Sequence, residues 1–372
     1  MAADPGGVDR VPAWSWAAPA AACLLLVATF AGVAVPGSPV VLAAAAALLG
    51  GAVFAAVHHA EIIAIRVGEP FGSIVLAIAV TVIEVALIVS IMLSAGDGSE
   101  VLARDTVFAT VMIVMNGIVG LCLVTGGARH HEQVFQTDAA AATLSVLGTL
   151  AVITLVLPNY TLSAPGPIYS TPQLVAIGVF SIVLYCVFLF VQTISHRDYF
   201  LSAPAASTGD AASDEALPLP SNRTALISLV LLLVALSAVV LLAKLLAPAL
   251  DLAVAQAGLP PAFVGVVIAA VVLLPEGIAA VRAARANRLQ ISLNLALGSA
   301  MATIGLTIPI VALAALMLDQ PLVLGLDPAE TVLLLLTLFT GTVTLATGRT
   351  TILQGAVHLV IFAVFLLVAI AL

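Results

Sequence analysis

The sequence predicts an all-α polytopic membrane protein of about eleven transmembrane helices, an extra N-terminal helix followed by two inverted five-helix repeats. Three observations carry this prediction. Of 372 residues, 63% are hydrophobic and only 8% charged, with a mean hydropathy of +1.26, whereas soluble domains carry roughly 25% charged residues. Apolar stretches of about 20 residues, the length that crosses a hydrocarbon core, recur along the whole chain. Finally, the basic residues fall almost wholly on one side once those stretches are taken as spans.

In chain order, the tail contains one arginine, Arg10, and leads into an apolar run that outlasts a signal-peptide core, so the first span, 17–35, reads as a retained helix. The next five spans are 40–60, 70–94, 106–125, 139–157 and 172–193, separated by proline, glycine and charged punctuation. The stretch 195–222 contains Asp210, Asp214, Glu215, Pro204, Pro218 and Pro220 and reads as an acidic linker, a solvated tether. Five more spans follow at 223–246, 262–282, 291–316, 329–347 and 351–372. The domains are therefore 1–38 (tail and first helix), 39–194 (first repeat), 195–222 (linker) and 223–372 (second repeat).

Eleven spans put the termini on opposite sides. Arg10, Arg66, Arg129, Arg197, Arg223, Arg282, Arg285, Arg288 and Arg349 lie on the N-terminal side, and only Arg104 and Lys244 on the other. This bias makes the N-terminus and the linker cytoplasmic and the C-terminus external. With the first span set aside, five spans precede the linker and five follow it. Five is odd, so the halves enter the membrane in opposite orientation, the condition for an inverted repeat with its substrate site near the midplane. The net charge of −8 offers no basic footprint for nucleic acid. Cys23, Cys122 and Cys186 sit in separate apolar runs, without the spacing of a disulfide framework or a zinc site.

The second helix of each half carries a buried carboxylate, Glu84 and Glu276. Glu84 lies 14 residues after Pro70, and Glu276 lies 14 after Ala262, a helix rise of roughly 21 Å in both. A carboxylate at mid-membrane costs at least about 2.5 kcal/mol, and neither span holds a lysine or arginine to neutralise it. What remains is a proton or a bound cation, and competition between them for the same oxygens is the physical basis of antiport. Two carboxylates match one Ca²⁺ or two monovalent ions.

Ca²⁺ takes about six to eight oxygens, so other groups must join. Pro275 lacks an amide hydrogen and is expected to break its helix and free the carbonyl of Val271. Thr81 stands one turn before Glu84. The third helices offer Asn116 in the first half and Asn294, Ser299, Thr303 and Thr307 in the second. The last three recur every fourth residue, a stripe on one helix face that suits either ion ligation or close helix packing. His58, His59 and Glu61 form a polar cluster at the end of the second span, read as an interfacial group or as a cytoplasmic funnel for ions and protons. His130 and His131 read as loop polarity, and His358 as a packing histidine or a proton relay. Glu69, Arg104, Asp105 and Glu330 lie at span ends as interfacial anchors.

Four segments carry a family resemblance: HHAEIIAIRVGEPFGSIVLAIAVTVIEVALI, RDTVFATVMIVMNGIVG, LLPEGIAAVRAARANRLQISLNLALGSAMATIGLTIP and TGRTTILQGAVHLVIFAVFL. They resemble the ChaA-type calcium/proton (sodium/proton) antiporters, a branch of the cation/calcium exchanger superfamily. The resemblance covers nearly the whole chain from about residue 50. It implies Glu84 and Glu276 as cation-binding acids, alternating access, proton influx driving Ca²⁺ or Na⁺ outward, and a bacterial inner membrane. Many relatives place a Gly-Asn pair before each glutamate, whereas this chain has Thr81 and Leu273 near those positions, which keeps Ca²⁺, Na⁺ and K⁺ all open. Inorganic cations, protons and lipid are the expected partners; no cofactor, nucleic acid or enzymatic chemistry is expected. A metal hydrolase would need an HExxH helix or a GxSxG elbow, and neither is present. A passive channel is the other rival. Oligomeric state is not legible.

Overall fold

The computed structural model describes residues 11–68, 71–92, 99–200 and 219–371. Helices fill every expected span: α1 Ala13–Phe30, α2 Pro39–Val67, α3 Phe71–Met92, α4 Leu102–His130, α5 Thr137–Tyr160, α6 Thr171–Ser195, α7 Asn222–Gln256, α8 Phe263–Arg285, α9 Leu289–Met317, α10 Pro328–Leu345 and α11 Ile352–Ala371. Among the described residues ten are long and apolar enough to cross a membrane. The eleventh, α3, has 22 residues and a single charged one, Glu84. Arg10, Glu69, Pro70 and the linker acids Asp210, Asp214 and Glu215 lie outside the described residues.

Several boundaries move for local reasons. α1 begins at Ala13 and stops at Phe30, just before Gly32 takes a φ of 72°. α2 starts at Pro39, where the Ser38 hydroxyl accepts from the Val41 N–H, and it continues to Val67 before Gly68 turns at φ 74°, the usual polar start and glycine stop. α7 continues past Lys244, Pro248 and Asp251 to Gln256, since membrane helices tolerate an internal proline whose freed carbonyl finds another partner.

Packing divides the chain into two compact units, Met1–Ile83 with Ala203–Leu246, and Glu84–Ser202 with Ala247–Leu372. This division cuts across the sequence halves, because α2 and the first part of α7, the opening helices of each half, fall in one unit. Within that unit α1 runs along α2 so closely that a Cβ on Gly51 would lie 3.1 Å from Ala18 Cβ. Arg66 Nε donates to Asn222 Oδ1 at 2.9 Å, joining the end of α2 to the start of α7.

In the second unit α4 is the central helix, buried along nearly its whole length. Small residues let its neighbours approach. A Cβ on Gly265 of α8 would come within 2.8 Å of the Thr106 backbone, and one on Gly277 within 3.2 Å of Ile118. That register runs forward on both helices, so α4 and α8 are parallel. The nine-residue stretch between α3 and α4 is too short to recross a membrane, so α3 runs opposite to α4 and therefore opposite to α8. The second helices of the two halves are thus inverted. α11 closes on α4 where a Cβ on Gly355 would meet Val124 N at 2.6 Å.

Each third helix carries a π-helical segment at mid-length, Ile113–Ile118 in α4 and Thr303–Thr307 in α9. Such insertions turn side chains out of the regular i,i+4 register and recur at functional sites. At one end of the unit, β1 Gln133–Val134 pairs antiparallel with β2 Arg349–Thr350. Gln133 and His130 bond to the carbonyls of Ala284 and Arg285 at the end of α8, as parallel α4 and α8 require.

Candidate cation-binding site

Glu84 sits thirteen residues past the first residue of α3, and Glu276 thirteen past the first of α8. Both side chains are buried. Glu84 Oε2 accepts two hydrogen bonds, from Thr303 Oγ1 at 2.9 Å and Thr307 Oγ1 at 2.8 Å, and both threonines are themselves buried. These donors come from the π segment of α9. The two hydroxyls, four residues apart on one helix face, meet at one oxygen. Among the described residues no ion pair reaches Glu84.

Glu276 occupies the corresponding place on the other side of the inverted pair. The next residue, Gly277, lies against Ile118 within the π segment of α4. The glutamate of each half thus belongs with the third helix of the opposite half: α3 with α9, and α8 with α4. α8 runs unbroken from Phe263 to Arg285 with Pro275 inside, so the expected helix break does not occur. Proline removes one donor from the ladder, at the Val271 carbonyl, without ending the helix.

The other expected oxygens divide into two groups. Ser299, one turn before Thr303, and Thr81, one turn before Glu84, hold buried hydroxyls with no hydrogen-bond partner among the described residues. Asn116 and Asn294 are engaged elsewhere. Asn116 Nδ2 donates to Thr337 Oγ1 at 2.8 Å, and its Oδ1 pairs with His358 Nδ1 at 3.0 Å. His358 Nε2 meets Thr344 Oγ1 at 3.1 Å. Asn294 Nδ2 donates to the Phe200 carbonyl, and its Oδ1 accepts from Gln290. Sequence reasoning missed Thr337 and Thr344, whose signal was a polar residue inside an apolar helix opposite the histidine of the next one.

His58, His59 and Glu61 belong to the first unit. His59 is buried, with Nε2 3.1 Å from the Ser15 carbonyl, and His58 packs its ring on Trp14. Glu61 is exposed. Because α2 extends to Val67, the histidines stand more than two turns inside the helix end. Among the described residues, no group of three or more His, Cys, Asp or Glu is spaced to hold a metal.

The family model described as "Sodium/calcium exchanger protein" matches residues 37–194 and 227–371. The chain is 56% identical over 360 residues to y4hA of Sinorhizobium fredii, provisionally named as an ionic transporter, covering 97% of this chain and 96% of that one. It is 35% identical over 327 residues to the sodium-potassium/proton antiporter ChaA of Escherichia coli, covering 87% and 88%. The solved structure of native YfkE superposes with a TM-score of 0.72 at 16% identity, over 95% of this chain and 98% of that one, a likeness of fold. The chain is a multi-pass membrane protein belonging to the sodium/calcium exchanger protein family of cation antiporters.

Proposed function

We propose that the protein is a secondary active antiporter that exchanges cytoplasmic Ca²⁺, or Na⁺ or K⁺, for external protons by alternating access. One observation carries the reading: Glu84 is buried, has no basic partner among the described residues, and is held by two hydroxyls. A hydroxyl both donates and accepts. With the site empty of metal, Thr303 and Thr307 donate to the carboxylate; when a cation binds, they rotate and offer lone pairs to it. Protonation of the same carboxylate removes its attraction for the cation, which couples the two ions. Ser299, Thr81 and the Val271 carbonyl supply further oxygens, and Glu276 is the second acid from the opposite repeat.

The cation is the finer question. The family name includes calcium, and two carboxylates match one Ca²⁺. The Escherichia coli relative is named for sodium, potassium and protons, and hydroxyl-rich surroundings with few carboxylates also fit monovalent ions. The arginine distribution supports an N-terminus and linker on the cytoplasmic side, and the family resemblance supports a bacterial inner membrane.

Everted vesicles given a panel of Ca²⁺, Na⁺ and K⁺ across pH test the reading. Cation-dependent proton flux is expected in the native protein and lost in Glu84→Gln and Glu276→Gln at normal membrane levels. Native flux in both variants would refute it. Recovery with monovalent ions alone would remove Ca²⁺.

A further inference from the structure

A second polar site lies in the same unit, away from Glu84, at the end of the bundle where α4, α8 and α10 begin and α11 ends. A cavity of about 280 Å³ is lined there by Arg104 and Asp105 of α4, Asp327 and Glu330 at the start of α10, Pro260 to Ala262 before α8, and Val368 of α11. It has room for several waters. Its lining deepest in the bundle is apolar, where Phe108 and Phe365 meet edge to face with centroids 5.6 Å apart.

Asp105 sets this cavity apart from ordinary interfacial polarity. It is only 4% exposed, and Oδ1 accepts from Arg104 Nε at 2.7 Å. Its Oδ2 is buried and has no hydrogen-bond partner among the described residues. A buried polar atom left unsatisfied is costly, more so when charged, so Oδ2 calls for a ligand from the cavity. Arg104 is otherwise engaged, donating from Nη1 to the Gly325 carbonyl at 3.2 Å and lying 3.9 Å from Asp327 Oδ2. Glu330 accepts from the Asp327 N–H, capping α10. The charged or titratable lining residues are thus Arg104, Asp105, Asp327 and Glu330; α8 and α11 contribute none. Three carboxylates against one guanidinium leave an excess of two negative charges when all are ionised. A chelated metal does not suit the place, since among the described residues no such ligand group is formed and Arg104 stands in its midst. A proton needs neither chelation nor the absence of an arginine.

We infer that this cavity is the proton-collecting vestibule of the antiporter, with Asp105 as its accepting group. The inference rests on the antiport reading and on the orientation that places these helix ends outside. A hydronium ion in the vestibule transfers its proton to Oδ2; one O–H bond breaks, another forms, and water is left. Asp105 becomes a neutral acid that still bonds Arg104 through Oδ1. Asp327 and Glu330 give the cleft a net negative charge that raises the local proton concentration, an effect of about tenfold.

The test varies the pH on each face separately, in right-side-out and everted vesicles, and reads cation-dependent proton flux. Asp105→Asn and Glu330→Gln are each expected to move the half-maximal external pH about one unit toward acid, a tenfold higher proton requirement. The maximal rate at acid pH and the response to internal pH should stay native, and Asp105→Glu should restore the external profile. Glutamine at 330 still caps α10, so that variant separates charge from folding. Native profiles in both variants would overturn the inference, as would equal loss at every pH. A shift that follows external Ca²⁺ instead of pH would overturn it in favour of a metal site. Glu84→Gln run alongside keeps the two ideas apart: active Glu84→Gln refutes antiport at that glutamate, whereas an inactive one with native Asp105 variants refutes only the vestibule.

Discussion

The π segments of α4 and α9 occupy corresponding places in the two repeats, yet they serve different chemistry. In α9 the segment delivers Thr303 and Thr307 to a carboxylate. In α4 it delivers Asn116 to a neutral network with Thr337, His358 and Thr344. An inverted repeat therefore fixes where the backbone opens, not what is bound there. One opening reaches a buried acid; the other ties three helices together through groups that satisfy one another.

The difference can be broken first on the acid side. Replacing both threonines with valine keeps their shape and removes both hydroxyls from Glu84. Valine also removes two oxygens that the bound cation takes as ligands in the proposed mechanism, so the double variant should weaken apparent cation affinity roughly a hundredfold or more, about 3 kcal/mol. Each single variant should lose roughly tenfold, and serine at either position should recover it. A cation titration of transport in vesicles reads all of these; unchanged affinity would detach the threonines from the site.

On the neutral side, His358→Leu orphans Asn116 and Thr344 in the interior and should cost about 1–3 kcal/mol of stability. Thermal unfolding in detergent measures the loss. Apparent cation affinity should stay within about threefold; a collapse of affinity with stability intact would make the network part of the site.

Glycines sharpen the comparison further. A Cβ on Gly305 would lie 2.8 Å from Tyr185 Cβ, close to the backbone of α6, whereas one on Gly117 would meet the Phe362 ring at an ordinary 3.4 Å. Gly305→Ala should therefore destabilise by about 1–3 kcal/mol and Gly117→Ala by less than about 0.5 kcal/mol. The smallest effect belongs to the exposed pair Arg349–Glu132, 3.3 Å apart. Glu132→Gln should change stability by less than about 1 kcal/mol, and high salt should erase the difference.

Much of this arrangement is legible in the sequence. Runs of about twenty apolar residues locate all eleven helices, and the equal offset of Glu84 and Glu276 marks the paired second helices. Errors fall where punctuation misleads. Lys244, Pro248 and Asp251 look like the end of a span, yet α7 continues through them to Gln256. Pro275 suggests a break that the rest of α8 overrides. The every-fourth stripe from Ser299 to Thr307 marks one polar helix face but not the carboxylate that two of its hydroxyls meet. That partner lies 219 positions from Thr303 and 223 from Thr307, a distance no local pattern spans. Asn116 and Asn294 look equally eligible as ligands, because an amide carries the same signal whether it meets an ion or a histidine. The π segments leave no periodicity to find, since one extra residue in a helix is invisible in an apolar run.

The central claim is that proton and cation compete for the same buried carboxylates. Initial transport rates against cation concentration, measured at a series of pH values in vesicles, address it most directly. Competition predicts that the apparent KM rises toward tenfold for each unit the pH falls through the protonation range, while the maximal rate stays constant. A KM independent of pH, with protons changing only the maximal rate, would contradict it.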